Sequence, residues 1–294
     1  MADFRFSPDL VRALLREQHP DLADLELRDV DGGWGNQLWR LGEDLAVRMP
    51  RTEGAPEQLR IEQKWLPALC DRLPLPVPRP VRVGEPSSLF PHTWTIMRWI
   101  EGEPADHAPI TRLDAAGVLA DFLRALHLPS PPDAPVNPVR GVPLAAIAEG
   151  AASWFSHIAD YPRVDNALEI WEKAVAAPPW TGAPLWLHAD LHPANVVVRS
   201  GQLTGVIDFG ELCTGDPATD LAAAWILLPA GAAPAFFDAY QHADDATITR
   251  ARGLAVLKSL VLISIGQNGR LGRPGGKPTW EPAGYAALDR ALAF

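Results

Sequence analysis

The stretch that most constrains this chain runs from Leu185 to Ala222. Two strand-length apolar runs, Val196–Val198 and Leu203–Ile207, flank a turn at Gly201. A hairpin of that length brings Asn195, just before the first strand, and Asp208, just after the second, to one end. A side-chain amide oxygen and a carboxylate are hard oxygen ligands, suited to a Mg²⁺ that keeps several waters and bridges phosphates. Asp190, five residues before Asn195, stands where it can accept a proton from an attacking hydroxyl. A rival reading makes His188, Asp190 and His192 the ligands of a zinc hydrolase, since alternate residues of an extended chain face the same way. That reading leaves Asn195 and Asp208-Phe209-Gly210 without a role, and His92, His107, His127 and His157 are scattered singles.

The rest of the chain divides around residue 102. Before it, Leu25–Pro50 reads as strand, Gly-rich turn, strand, turn, strand, with glycines at 32, 33, 35 and 42 marking the turns. Pro8–Gln18 and Pro56–Cys70 read as amphipathic helices, and Thr93–Ile100 as a further strand. After residue 102, helical patterns dominate: 111–127, 144–177, and most of the chain beyond Ala218. The glycine-rich Gly266–Pro282 reads as a long loop. The expected fold class is therefore α+β and bilobal. A small antiparallel-sheet lobe (residues 1–102) precedes a larger, mainly helical lobe (residues 103–294), with a hinge near Glu101-Gly102.

With 294 residues, there is ample material for a buried core. A net charge of -10 disfavours nucleic acid and tolerates cationic small molecules. The two cysteines fit no metal spacing and read as reduced thiols of a cytoplasmic protein. The longest uncharged run, Leu221–Phe237, is broken by Pro229, Gly231 and Pro234, which argues against a membrane span.

His188-Ala189-Asp190-Leu191, with Asn195 four residues on, resembles the catalytic loop of protein kinases, with Ala in the place of Arg. Asp208-Phe209-Gly210 resembles the metal-binding triplet of the same superfamily. His192-Pro193 and Gly215-Asp216-Pro217-Ala218, followed by Asp220-Leu221-Ala222, resemble the aminoglycoside phosphotransferase family more closely. No activation segment ending in Ala-Pro-Glu is present. The resemblance implies a protein-kinase-like fold and transfer of the γ-phosphate of ATP or GTP to a hydroxyl of an aminoglycoside-like acceptor, with Mg²⁺. It makes Asp190 the catalytic base or the residue that orients the hydroxyl, and Asn195 and Asp208 the catalytic metal ligands. His188 supports the loop, and Asp220 ties down its backbone. A kinase of another metabolite or a macrolide is the alternative acceptor class. A nucleotide-binding protein without turnover is the alternative function.

On the nucleotide side, Gly33 and Gly35 border a loop whose backbone N–H groups can face phosphates. The family places a Lys on the third strand, and this chain has Arg48 there. Glu62 falls on the apolar face of its helix with Leu59, Leu66 and Leu69, where a carboxylate needs a partner, and Arg48 supplies one, with Glu57 and Glu53 as the alternative partners of that cation. By resemblance, adenine meets the backbone of Trp99 and Ile100, with Met97 guarding the pocket. For the acceptor, carboxylates of the helical lobe (Asp160, Asp165, Glu169, Glu172, Asp238, Asp244, Asp245 and Glu281) would suit a polycation. Trp154, Trp171, Trp180, Trp225 and Trp280 would offer a ring an apolar wall.

Overall fold

The structure is a computed structural model that describes residues 5–30 and 35–294. The chain forms two compact units. The first takes the residues up to Glu101 together with Val206–Glu211, and the second takes the remainder.

In the first unit, α1 (Pro8–Gln18) is capped by Ser7, whose hydroxyl accepts from the Leu10 N–H at 3.2 Å. Next come β1 (Leu27–Val30), β2 (Asn36–Leu41), β3 (Leu45–Pro50), α2 (Ala55–Cys70), β4 (Pro80–Gly84) and β5 (Trp94–Arg98). The strands form one antiparallel sheet in the order β1-β2-β3-β5-β4. The alternation of strand side chains does the sorting here. Val47 and Met49 enter a core with Val11, Leu14 and Leu15 of α1 and with Trp39, Trp94 and Ile96. Arg48, between them, faces the opposite way, toward α2. Gly84 is required by its neighbour, because a Cβ there would lie 1.8 Å from the Trp94 ring.

The second unit contains β6 (Glu103–Pro104), α3 (Ala115–Leu126), α4 (Ala148–Ala152), α5 (Val164–Ala176), β7 (Leu185–Leu187), β8 (Val196–Arg199), β9 (Gln202–Val206) and β10 (Cys213–Gly215). It ends with α6 (Ala218–Leu221), α7 (Ala223–Ile226), α8 (Ala233–Tyr240), α9 (Asp245–Arg270) and α10 (Trp280–Ala293). β8 and β9 form the hairpin expected around Gly201; Ser200 and Gly201 are both left-handed (φ 50° and 76°), the conformation of a two-residue type I′ turn. β6 adds to β8, and β7 pairs with β10.

Two expectations are corrected. Residues 144–177 are not one helical block: short 3₁₀ turns and α4 precede α5, with a break at Tyr161-Pro162. The loop expected over Gly266–Pro282 is shorter than the sequence suggests: α9 runs to Arg270 and α10 starts at Trp280, so the loop itself is residues 271–279. Gly272 and Gly275 sit in open space at positive φ, as turn residues do, but Gly266 and Gly269 serve close packing. A Cβ on Gly266 would lie 2.1 Å from the Glu281 nitrogen, and one on Gly269 2.4 Å from the Pro278 nitrogen. No helix among the described residues is long and apolar enough to cross a membrane.

Candidate active site

Each unit carries one polar cluster. In the first, Arg48 is 6% exposed and Glu62 2%. Arg48 Nη1 donates to Glu62 Oε2 in a short contact, and Nη2 donates to Asp208 Oδ1 at 2.6 Å. With its amide oxygen turned to the guanidinium, Asn36 accepts from Arg48 Nε at 3.1 Å and Nη2 at 2.9 Å. One cation thus bridges two carboxylates and an amide. Burial opposes the charge on Arg48, but Asp208 and Glu62 outweigh it and hold its pKa above the ordinary value. Burial pushes Glu62 up to about 7, against the pull of Arg48 and with the help of Asp208. The two shifts have one origin: a single guanidinium shared by two carboxylates stays charged, while the more deeply buried acid keeps its proton more easily.

Asp208 adopts φ 62°, a left-handed conformation that costs a non-glycine residue about 1–3 kcal/mol. The turn that follows it holds it there. Phe209 is fully buried, and Gln58 Nε2 of α2 donates to Glu211 Oε1 at 2.7 Å. At the end of β5, Met97 is buried and Arg40 stacks 4.4 Å from the Trp99 ring centroid. The Trp99 N–H donates to the Asp44 carbonyl at 2.8 Å. With that N–H engaged, Trp99 keeps its carbonyl, and Ile100 its backbone groups, at this corner. Gly35 closes a turn, with its carbonyl accepting from Arg51 N at 2.8 Å. Gly33 lies outside the described residues.

The second cluster surrounds Asp190. Ala189, at φ 66°, gives the loop its bend. Asp220, fully buried at the start of the segment after β10, holds that bend: its carboxylate accepts from the His188 N–H at 2.7 Å and the Ala189 N–H at 2.8 Å. His127 Nε2 lies 3.2 Å from the same carboxylate. His188 is fully buried and its Nδ1 accepts from the Asp190 N–H at 3.2 Å, so it braces the loop from inside. Asp216, next to the helix start, caps Ala218 and pairs with buried Arg250 at 2.7 Å.

The Asp190 carboxylate has four neighbours. Oδ1 accepts from Lys258 Nζ at 2.5 Å and Arg140 Nη1 at 3.0 Å. Oδ2 accepts from Asn195 Nδ2 at 3.1 Å, and His192 Nε2 lies 3.4 Å away. Burial alone would raise its pKa, but Lys258, His192 and Arg140 outweigh it and hold the carboxyl well below the usual carboxylate range. The Asn195 amide also donates to the Asp190 carbonyl at 2.9 Å. With both Nδ2 bonds directed at Asp190, Asn195 Oδ1 accepts no hydrogen bond among the described residues. His192 caps the turn before β8, and its ring packs 4.7 Å from that of Trp280.

Lys258 and Arg140 were not singled out from the sequence. Lys258 did leave a signal: it is the one charge between Arg252 and Arg270, a run otherwise uncharged along α9. Arg140 left none, since it lies in an irregular proline-rich segment. The carboxylates expected to line an acceptor cleft are mostly exposed. Glu169 pairs with Lys173, Asp244 caps α9, and Glu281 pairs with Arg270. Of the tryptophans, Trp171 and Trp225 are core residues, and Trp280 packs against His192.

Comparison with known proteins gives these arrangements a family. A homoserine kinase from Beijerinckia indica subsp. indica is 39% identical over 79 residues, which is 24% of this chain. The match spans a quarter (25%) of that relative's length. The GDP and kanamycin complex of APH(2")-IIia superposes with a TM-score of 0.68 at 19% identity, covering 96% of this chain and 98% of that one. The apoenzyme of the macrolide 2'-phosphotransferase MphH from Brachybacterium faecium superposes with a TM-score of 0.60 at 21% identity, covering 96% and 97%. At these identities the structural likeness concerns the fold, which is protein-kinase-like. The model of the Phosphotransferase enzyme family (APH) matches residues 26–254, and the chain belongs to that family of phosphotransferases.

Proposed function

We propose that this protein transfers the γ-phosphate of ATP or GTP to a hydroxyl of a small molecule, with Asp190 orienting that hydroxyl. The observation that carries the reading is the Asp190 cluster: a carboxylate kept ionised by Lys258, His192 and Arg140, on a loop fixed by Asp220. A carboxylate held so acidic is a poor general base and a good hydrogen-bond acceptor. It aligns the hydroxyl oxygen with the phosphorus. The new P–O bond forms as the bond to the bridging oxygen breaks, the nucleoside diphosphate leaves, and the hydroxyl proton ends in solvent. In phosphoryl transfer such positioning supplies most of the rate.

The donor atoms fit Mg²⁺. Asn195 offers an amide oxygen fixed by its bonds to Asp190, and Asp208 offers a carboxylate whose side chain is 47% exposed. These two hard oxygens would hold the ion. When bound, Mg²⁺ neutralises charge on the phosphate oxygens. Arg48 would serve the phosphates, and the Trp99 and Ile100 backbone the base. Acceptors of the kind named for the structural relatives, kanamycin and macrolides, belong in the test panel, as does homoserine.

A coupled nucleotide-turnover assay with Mg²⁺ and this panel tests the reading, with Asp190→Ala as control. Turnover with one acceptor class, lost in the variant, is expected; full activity in Asp190→Ala would sink the role of Asp190. One observation favours a second reading, a nucleotide-binding protein without turnover: Arg48 is directly paired with Asp208, so this cation and a metal compete for one carboxylate. Mg²⁺-dependent nucleotide binding with no turnover on any acceptor would support it.

A further inference from the structure

Lys258 sits on α9 with its Nζ donating to Asp190 Oδ1, and this is its one hydrogen bond among the described residues. An ammonium has three N–H donors, so two remain for a ligand. Its side chain is partly buried at 20% exposed, so those donors face a partly enclosed position beside Asp190. Arg140, the second cation on the same oxygen, is committed elsewhere: its Nη1 also donates to the Ala189 carbonyl at 2.7 Å and braces the strained residue. Arg140 is thus a fixed strut, and Lys258 is the flexible partner on a four-carbon stem.

Two cations face one carboxylate here, which leaves an excess positive charge beside the group that would receive the acceptor. Polycations are repelled by such a site. Among the described residues, Asp190 is the one carboxylate that pairs with Lys258.

We propose that Lys258 binds an anionic group of the acceptor, so that the substrate is a hydroxylated acid, carboxylate-bearing, in preference to a polycationic amine. This rests on the reading that Asp190 orients the acceptor hydroxyl. When the acceptor enters, its hydroxyl takes a place on Asp190 Oδ1 and its carboxylate receives the N–H groups of Lys258. Arg48, in the first unit, remains the cation for nucleotide phosphate.

The test uses matched acceptor pairs that share a hydroxyl and differ in charge: homoserine, serine and 4-hydroxybutyrate against their primary amides, with kanamycin as the polycation. Phosphoryl transfer from Mg²⁺-ATP and Mg²⁺-GTP is measured for the native chain, Lys258→Gln and Lys258→Arg. The expected native result is a kcat/KM for one acid that exceeds its amide by about tenfold to a hundredfold, the worth of a charge-assisted hydrogen bond. In Lys258→Gln that ratio falls toward one, and in Lys258→Arg most of it survives. A ratio unchanged in Lys258→Gln, or acid and amide falling together, would assign the lysine to the transferred phosphate or to Asp190 and overturn the proposal. So would kanamycin or an amide as the best acceptor. Transfer to no member of the panel, with nucleotide binding intact, overturns the acceptor class. Loss of nucleotide binding as well would instead sink the phosphotransfer reading on which it rests.

Discussion

Asp220→Asn removes one charge and almost no volume at the point where the catalytic loop is tied. The carboxylate accepts from two buried backbone N–H groups, those of His188 and Ala189, at 2.7 and 2.8 Å. An amide keeps one acceptor oxygen and turns an NH₂ toward the other N–H. One charge-assisted bond weakens and one buried donor is orphaned, a combined loss of about 3–5 kcal/mol. Release of the left-handed strain at Ala189 (φ 66°) returns about 1–2 kcal/mol if the loop relaxes. The expected net loss is about 1–4 kcal/mol, read as a lower urea midpoint with an unchanged m value. The loop relaxation should also misplace Asp190 and cut turnover at least tenfold, while Mg²⁺-nucleotide binding changes little. Stability within about 0.5 kcal/mol of the native chain, or full turnover despite destabilisation, would refute the argument that Asp220 fixes the reactive loop.

Further outcomes follow from the same geometry. Glu62, raised from 4.5 to about 7, keeps its proton in the folded state over a window where the unfolded chain has lost it. The folded state binds more protons there, so stability should fall as pH rises from about 4.5 to 7 and level off above, by on the order of 3 kcal/mol. Glu62→Gln should flatten that slope in urea midpoints taken across the window. Arg48→Lys cannot span Glu62, Asp208 and Asn36 at once, so turnover should drop roughly tenfold or more; a rise would mark Arg48 as the trace of a decayed site. Gly266→Ala places a Cβ 2.1 Å from the Glu281 nitrogen, and prising α9 from α10 should cost about 1–3 kcal/mol by thermal or urea unfolding.

Much of this protein was legible in the chain because it is local. The hairpin around Gly201 follows from two apolar runs and a turn, and Asp190, Asn195 and Asp208 fall within 19 residues of sequence. The sheet of the first unit follows from alternating strand residues, and that alternation turns Arg48 away from the Val47 and Met49 core. The Arg48–Glu62 contact was a matter of one misplaced carboxylate on an apolar helix face, since a buried charge demands a partner.

Other features were decided only when distant segments met. Gly266 and Gly269 read as loop until α10 is seen pressed against α9, since glycine signals a bend or a close approach equally well in sequence. Val206–Glu211 packs with α2 in the first unit, so Asp208 shares a guanidinium with Glu62 across 146 residues of chain that carry no trace of it. Arg140 and Lys258 reach Asp190 from segments 50 and 68 residues away. Their pairing depends on long side chains converging in a folded interior, where charge acts over a few ångströms in space and sequence separation has no force. Spacing singled out Asp190. The cations that set its charge belong to the tertiary structure.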